Sequence, residues 1–203
     1  MKKNLFILAL TLVSFTSFSQ VSFRPGVRIG ANYSSISNTR TDSKMGLNAA
    51  IFGALKLTEF YTLQPEIVYS NQGAERNFIG GIEDNYDIHY VSVAVANKFF
   101  PVKGLGLHLI AGPSLDFNFD DNWINLINDD SDSDITPFDF SLFAGIGYEF
   151  PFGLAIEARY KQGFIDLDFW DDSYYDSNGY YHNEENNQLN SVIQLGVAYK
   201  FNF

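Results

Sequence analysis

From Ile193 to Phe203 apolar residues hold every odd position, and polar or small residues hold every even one. A strict period of two describes a strand with two unlike faces. The same alternation recurs upstream. Pro25 to Tyr33 sets Val27, Ile29, Ala31 and Tyr33 against Arg28, Gly30 and Asn32. Gly46 to Leu57 sets Leu47, Ala49, Ile51, Leu55 and Leu57 against Asn48, Ala50, Ala54 and Lys56. Phe60 to Ser70 opposes Tyr61, Leu63, Ile67 and Tyr69 to Gln64, Glu66 and Ser70. Ile88 to Phe100 opposes Val91, Val93, Val95 and Phe99 to Ser92, Ala94, Ala96 and Lys98. Gly104 to Phe119, Pro137 to Phe150 and Gly153 to Gly163 continue the pattern. Eight strands are predicted. Pro65 and Pro113 each remove a ladder donor, so a local bulge is expected at both.

The connections between these strands alternate in length. Residues 57–60, 100–104 and 150–153 are tight turns, whereas 34–45, 71–87, 120–136 and 164–188 are long and polar. An even number of antiparallel strands with short turns at one end and long loops at the other is the pattern of an outer-membrane barrel. An eight-stranded barrel has an interior just filled by side chains, and the full set of large apolar residues would overfill it. The apolar face is therefore expected to look at lipid, and the small and polar face to line the lumen. Tyr33, Tyr61, Tyr69, Tyr148 and Phe150 then fall near the two interfaces. The reading is an all-β chain: an eight-stranded antiparallel up-and-down transmembrane β-barrel with short periplasmic turns and four long outer loops.

The N-terminus fits export. Lys2 and Lys3, an apolar run from Leu5 to Phe18 and a small-x-small site at Ser17-Phe18-Ser19 read as a signal peptide over residues 1–19. Residues 20–203 form the barrel domain. The absence of cysteine removes disulfides and thiol chemistry. The net charge of -11 argues against nucleic acid as a partner.

Charge sharpens the picture of the lumen. The predicted inner face holds Arg28, Lys56, Lys98, Arg159, Lys161 and Lys200 against Glu66, Asp116, Asp139, Glu149 and Glu157. Buried charges persist only when paired and hydrogen-bonded, so this set reads as an ion-pair plug. The acidic excess lies in the long loops. A near-neutral packed lumen argues against a water-filled pore.

Several pieces resemble the PorT-like outer-membrane barrel family of Bacteroidota. They are Arg24-Pro25-Gly26-Val27-Arg28-Ile29-Gly30-Ala31-Asn32-Tyr33, Leu63-Gln64-Pro65-Glu66-Ile67-Val68-Tyr69-Ser70-Asn71-Gln72-Gly73 and Leu109-Ile110-Ala111-Gly112-Pro113. Ala144-Gly145-Ile146-Gly147-Tyr148-Glu149 and Ala158-Arg159-Tyr160 match it as well. Where the family carries Glu-Leu-Pro on the fourth strand, this chain has Ser92-Val93-Ala94. The resemblance spans Phe23 to Phe203 and implies an eight-stranded barrel in the outer membrane, loops outward. One member of the family is tied to type IX secretion, which implies a larger outer-membrane complex as partner. A terminal strand ending on Tyr199, Phe201 and Phe203 resembles the insertion signal read by the barrel-assembly machinery.

No catalytic, cofactor or metal residue is assigned. His108 shares a predicted lumenal face with Ser114 and Asp116, but residues six and eight apart along one strand lie roughly 20 Å or more apart and cannot form a triad by themselves. His89 and His182 are the other imidazoles, and an Asp-His pair around His182 is the only general-base arrangement that suggests itself. Asp130-Ser131-Asp132-Ser133-Asp134 has alternating carboxylates but lacks the glycine and terminal glutamate of an EF-hand. Trp170, Tyr174, Tyr175, Tyr180 and Tyr181 in the last loop suit a partner or a sugar as well as the headgroup region. The expectation is a closed barrel that works by contact, through its wall on a secretion or assembly machine or through its loops on an outside ligand. Hydrolysis is the least favoured alternative.

Overall fold

The computed structural model describes residues 21–37, 42–77, 83–118, 138–165, 174–175, 181–182 and 189–202. Eight antiparallel strands close into one barrel: β1 (Ser22–Ile36), β2 (Asp42–Lys56), β3 (Tyr61–Asn77), β4 (Glu83–Phe99), β5 (Leu107–Asn118), β6 (Phe138–Glu149), β7 (Leu154–Gly163) and β10 (Asn190–Lys200). β8 (Tyr174–Tyr175) and β9 (Tyr181–His182) form a separate two-stranded ladder in the last long connection. Each barrel strand pairs with its neighbours in sequence order, and β10 closes on β1 from Gly26↔Lys200 to Ile36↔Asn190. Closure leaves no edge, which is the condition for strands to sit in hydrocarbon.

Sidedness follows the alternation. Ile29, Ile146 and Leu195 on the outer wall are 65%, 57% and 59% exposed, whereas Lys98, His108 and Gln64 in the lumen are at 0%. Such a wall has lipid as its solvent. Tyr148, Phe150 and Phe152 pack in sequence at the short-turn end, with centroids 4.9 and 5.4 Å apart. Tyr33 and Tyr69 stand on the wall toward the other end. Aromatic rings at both interfaces are the expected belts.

Three features differ from the sequence reading. The first four strands run farther than expected, and parts of the predicted loops 34–45 and 71–87 are ladder: Ser34 pairs with Lys44, and β3 pairs with β4 out to Asn77↔Glu83. Strand that projects beyond the bilayer has no apolar face, so alternation stops marking it. Conversely, Gly104 and Gly106 belong to a turn, with φ of 77° and 81°. That left-handed conformation favours glycine and delays β5 to Leu107. Neither proline makes a bulge. The β3–β4 and β5–β6 ladders run in constant register past Pro65 and Pro113. Each proline instead opens a gap on its other side, since it lacks the N–H for one neighbour only. Pairing lapses between Phe52↔Glu66 and Leu55↔Leu63 on β2–β3, and between Ala94↔Ser114 and Asn97↔Ala111 on β4–β5. The register shift that does occur lies between Ser43 and Asn48 on β2.

The lumen also holds large apolar side chains that alternation had assigned no place. Phe52, Val68, Ile110 and Phe143 point inward and are buried. Glycine and alanine around them leave the volume. A Cβ on Gly147 would lie 2.5 Å from His108 Nε2, so that position accommodates the imidazole.

Candidate functional site

The centre of the lumen is a charge network built from four strands. Arg159 on β7 donates two hydrogen bonds of 2.8 Å to the two oxygens of Glu66 on β3. The same guanidinium donates to Glu157 Oε2 at 2.7 and 3.2 Å, through Nη2 and Nε. Arg28 on β1 reaches Glu66 at 3.1 Å, Lys98 on β4 reaches Glu157 at 2.5 Å, and Gln64 donates to Glu66 at 2.8 Å. These four ion-pairing strands present inward side chains at the same level, which the two-residue period alone cannot show. Every charged side chain here is at most 2% exposed. Three cations meet two carboxylates, and the rings of Phe52 and Phe143 lie 5.7 Å from Lys98 Nζ and 5.2 Å from Arg159 Cζ. A π-face next to a desolvated cation offsets part of its lost hydration.

Polar layers continue toward the outer end. Asp116 accepts from Lys161 at 2.6 Å, Ser114 at 2.7 Å and Ser141 at 2.6 Å. Asn32 donates to Ser70 at 2.7 Å and to the Asn71 carbonyl at 3.0 Å, and accepts from Asn48 at 2.8 Å and Gln194 at 3.2 Å. It lies beside the β2 register shift and occupies backbone acceptors that the shift frees. Below the network, Lys200 pairs with Glu149 at 2.5 Å.

Nine of the eleven predicted lumenal charges therefore take part in ion pairs: Arg28, Glu66, Lys98, Asp116, Glu149, Glu157, Arg159, Lys161 and Lys200. Two do not. Lys56 is the last residue of β2, and its side chain is exposed at the short-turn mouth. Asp139 accepts instead from the backbone N–H groups of Phe164 and Ile165, at 3.3 and 3.0 Å. The chain leaving β7 brings these donors close, while Lys161 is held by Asp116. The neutral members Asn32, Gln64 and Ser141 fell on the predicted polar face but were not named as part of the network. Their inward parity was the available signal.

His108 does not approach Ser114 or Asp116. Its Nδ1 lies 3.1 Å from the Gly106 carbonyl, its Nε2 3.7 Å from Glu157, and its ring 4.9 Å from that of Phe100. His89 sits on the outer wall, with Nδ1 2.8 Å from the Tyr69 hydroxyl and 3.5 Å from Asn71 Nδ2. Tyr199 and Phe201 lie on the wall with ring centroids 5.4 Å apart. The signal peptide, the acidic segment 130–134, Trp170, Tyr180 and Phe203 lie outside the described residues, as do the side chains of Tyr174, Tyr175, Tyr181 and His182.

Comparisons with known proteins agree with this architecture. No curated protein matches the sequence. Among solved structures, Neisserial surface protein A covers 90% of this chain and 100% of its own, at 14% identity and a TM-score of 0.50. The Yersinia pestis outer membrane protein Ail in a phospholipid bilayer nanodisc covers 89% of this chain and 100% of its own, at 15% identity and a TM-score of 0.49. The outer membrane protein OprG from Pseudomonas aeruginosa covers 89% of this chain and 95% of its own, at 10% identity and a TM-score of 0.42. Residues 18–168 match the outer membrane protein beta-barrel domain. With its closed eight-stranded barrel, the chain belongs to that family and resides in the outer membrane.

Proposed function

We propose that the protein is a non-conducting, non-enzymatic outer-membrane barrel that acts by contact. Its lipid-facing wall docks onto a larger outer-membrane assembly for secretion or protein assembly. The observation that carries this reading is the lumen. Arg28, Glu66, Lys98, Glu157 and Arg159 fill its centre with side chains that neither water nor solute reaches. A transporter would need that network broken, and removing one member of a buried pair costs about 3–5 kcal/mol. What is left for the protein to use is its surface. The resemblance of Leu63 to Gly73 to PorT-like barrels supports a secretion or assembly partner.

A second reading places recognition in the outer loops. The β8–β9 ladder favours it, because it gives the longest connection a local hairpin bearing Tyr174, Tyr175 and Tyr181. Co-purification from native outer membranes separates the two. A stoichiometric large membrane partner supports docking by the wall. A lone barrel that loses ligand binding when residues 174–182 are replaced supports the loops. Steady conductance in planar bilayers overturns both, and turnover abolished by His182→Ala would establish an enzyme.

A further inference from the structure

The short-turn end of the barrel opens into a cavity of about 320 Å³ facing the periplasm. Arg24 on β1, Lys56 on β2 and Lys200 on β10 line it, together with Glu59, Glu149 and Phe150. β10, β1 and β2 are consecutive around the barrel. Their register runs Ser22↔Lys56, Arg24↔Ala54 and Gly26↔Lys200. The three cations therefore share the lumenal parity and stand two residues apart along an arc.

Both carboxylates of the cavity are already engaged. Glu149 holds Lys200 at 2.5 Å, and Glu59 holds Lys103 at 2.7 Å. Neither Arg24 nor Lys56 makes an ion pair among the described residues, and both side chains are exposed. They are diagonal neighbours of like charge on one face of an antiparallel pair, an arrangement that repels until an anion sits between them. The low-dielectric protein walls of such a cleft, Phe100 and Phe150 among them, concentrate the field inside it. The cavity is also a dead end. His108 packs on Phe100 and bonds Gly106, and both of those residues line the cavity floor. In a chain of net charge -11, a basic recess runs against the trend of the composition.

We propose that this recess binds an oxyanion presented from the periplasm. A phosphate or carboxylate group lies across the Arg24 guanidinium, whose planar fork matches paired oxygens, and meets Lys56 Nζ on its other side. Lys200 adds positive potential from within its pair with Glu149. The oxyanion is carried by a free periplasmic phosphate or carboxylate, or by an acidic side chain of a periplasmic protein. This site does not rest on the docking reading, since it faces the periplasm and not the bilayer.

The test is titration calorimetry on the full barrel in lipid nanodiscs, with inorganic pyrophosphate in one arm and a soluble Asp/Glu hexapeptide in the other. Saturable, salt-sensitive binding is expected in at least one arm. Arg24→Gln and Lys56→Gln should each weaken it about tenfold, while Lys44→Gln at the opposite end leaves it unchanged. Pyrophosphate binding assigns a free oxyanion, and binding of the peptide alone assigns an acidic side chain. No binding in either arm, or binding by both mouth variants as tight as by the native protein, overturns the proposal. Heat-modifiable gel migration confirms that each variant is folded, so a loss of binding reads on the recess.

Discussion

Arg159 and Glu66 meet across the lumen through two parallel hydrogen bonds of 2.8 Å, although 93 residues separate them in sequence. Glu66 is the hinge of this relationship, because it also accepts from Arg28 and Gln64. Glu66→Gln would leave two guanidinium groups facing an amide that offers only one acceptor oxygen. We expect a loss of about 3–5 kcal/mol in urea unfolding from lipid vesicles. Arg159→Met alone should cost a similar amount, because it leaves Glu66 only Arg28 and Glu157 only Lys98 as cationic partners. The double variant should lose clearly less than the sum, since residues in one ion-pair network are not additive.

Gly147 is the space into which His108 fits. A methyl group there would lie 2.5 Å from Nε2 and 2.8 Å from Cε1. Gly147→Ala should therefore destabilise the barrel by about 1–3 kcal/mol, the ordinary range for overpacking. Adding His108→Ala should return part of that loss. A double variant no more stable than Gly147→Ala would show that the imidazole is not what the glycine accommodates.

On the lipid side, Asn97 stands beside the gap that Pro113 opens. Its amide donates to the Ala111 carbonyl at 3.0 Å and to the Val95 carbonyl at 3.4 Å, and the Tyr61 hydroxyl caps its oxygen at 2.6 Å. Backbone carbonyls facing hydrocarbon without a donor are costly. Asn97→Ala should lose about 1–3 kcal/mol. Pro113→Ala restores a backbone donor, so the same Asn97 change made in that background should cost less. Equal costs in the two backgrounds would mean that the side chain does not stand in for the ladder.

At the short-turn end, the Lys103 ammonium hydrogen-bonds Glu59 and holds its carboxyl below the usual carboxylate range. A carboxyl depressed in the folded state contributes stability above its unfolded pKa and loses it as pH falls through the folded value. Glu59 is exposed to solvent, so the direction is the testable quantity. A carbon-detected titration should place its midpoint below that of an ordinary glutamate. Lys103→Met should move the midpoint upward.

The barrel and its sidedness were legible because lipid imposes a period of two on every spanning strand. Nine lumenal charges could be named from parity alone, but not who pairs with whom. Pairing depends on the relative height of residues on β1, β3, β4 and β7, which strand register sets and alternation does not encode. Lys56 was misplaced for the same reason: parity assigned it to the inner face without revealing that β2 ends at the mouth. Parity put Asn32, Gln64 and Ser141 on the inner face too, but it does not show which charges or carbonyls such neutral groups meet. Phe52 and Phe143 broke the binary pattern, and their role became visible only as ring faces beside Lys98 and Arg159.

The two proline gaps lie on opposite flanks of the same hairpin. Between them β3 and β4 remain joined from Tyr61↔Phe99 to Asn77↔Glu83 without interruption. The wall is thus a continuous sheet with two scored lines and one stiff panel bounded by them. Under a mechanical load from the periplasm, tearing would start along the scores, and the panel would leave the bilayer as a single piece.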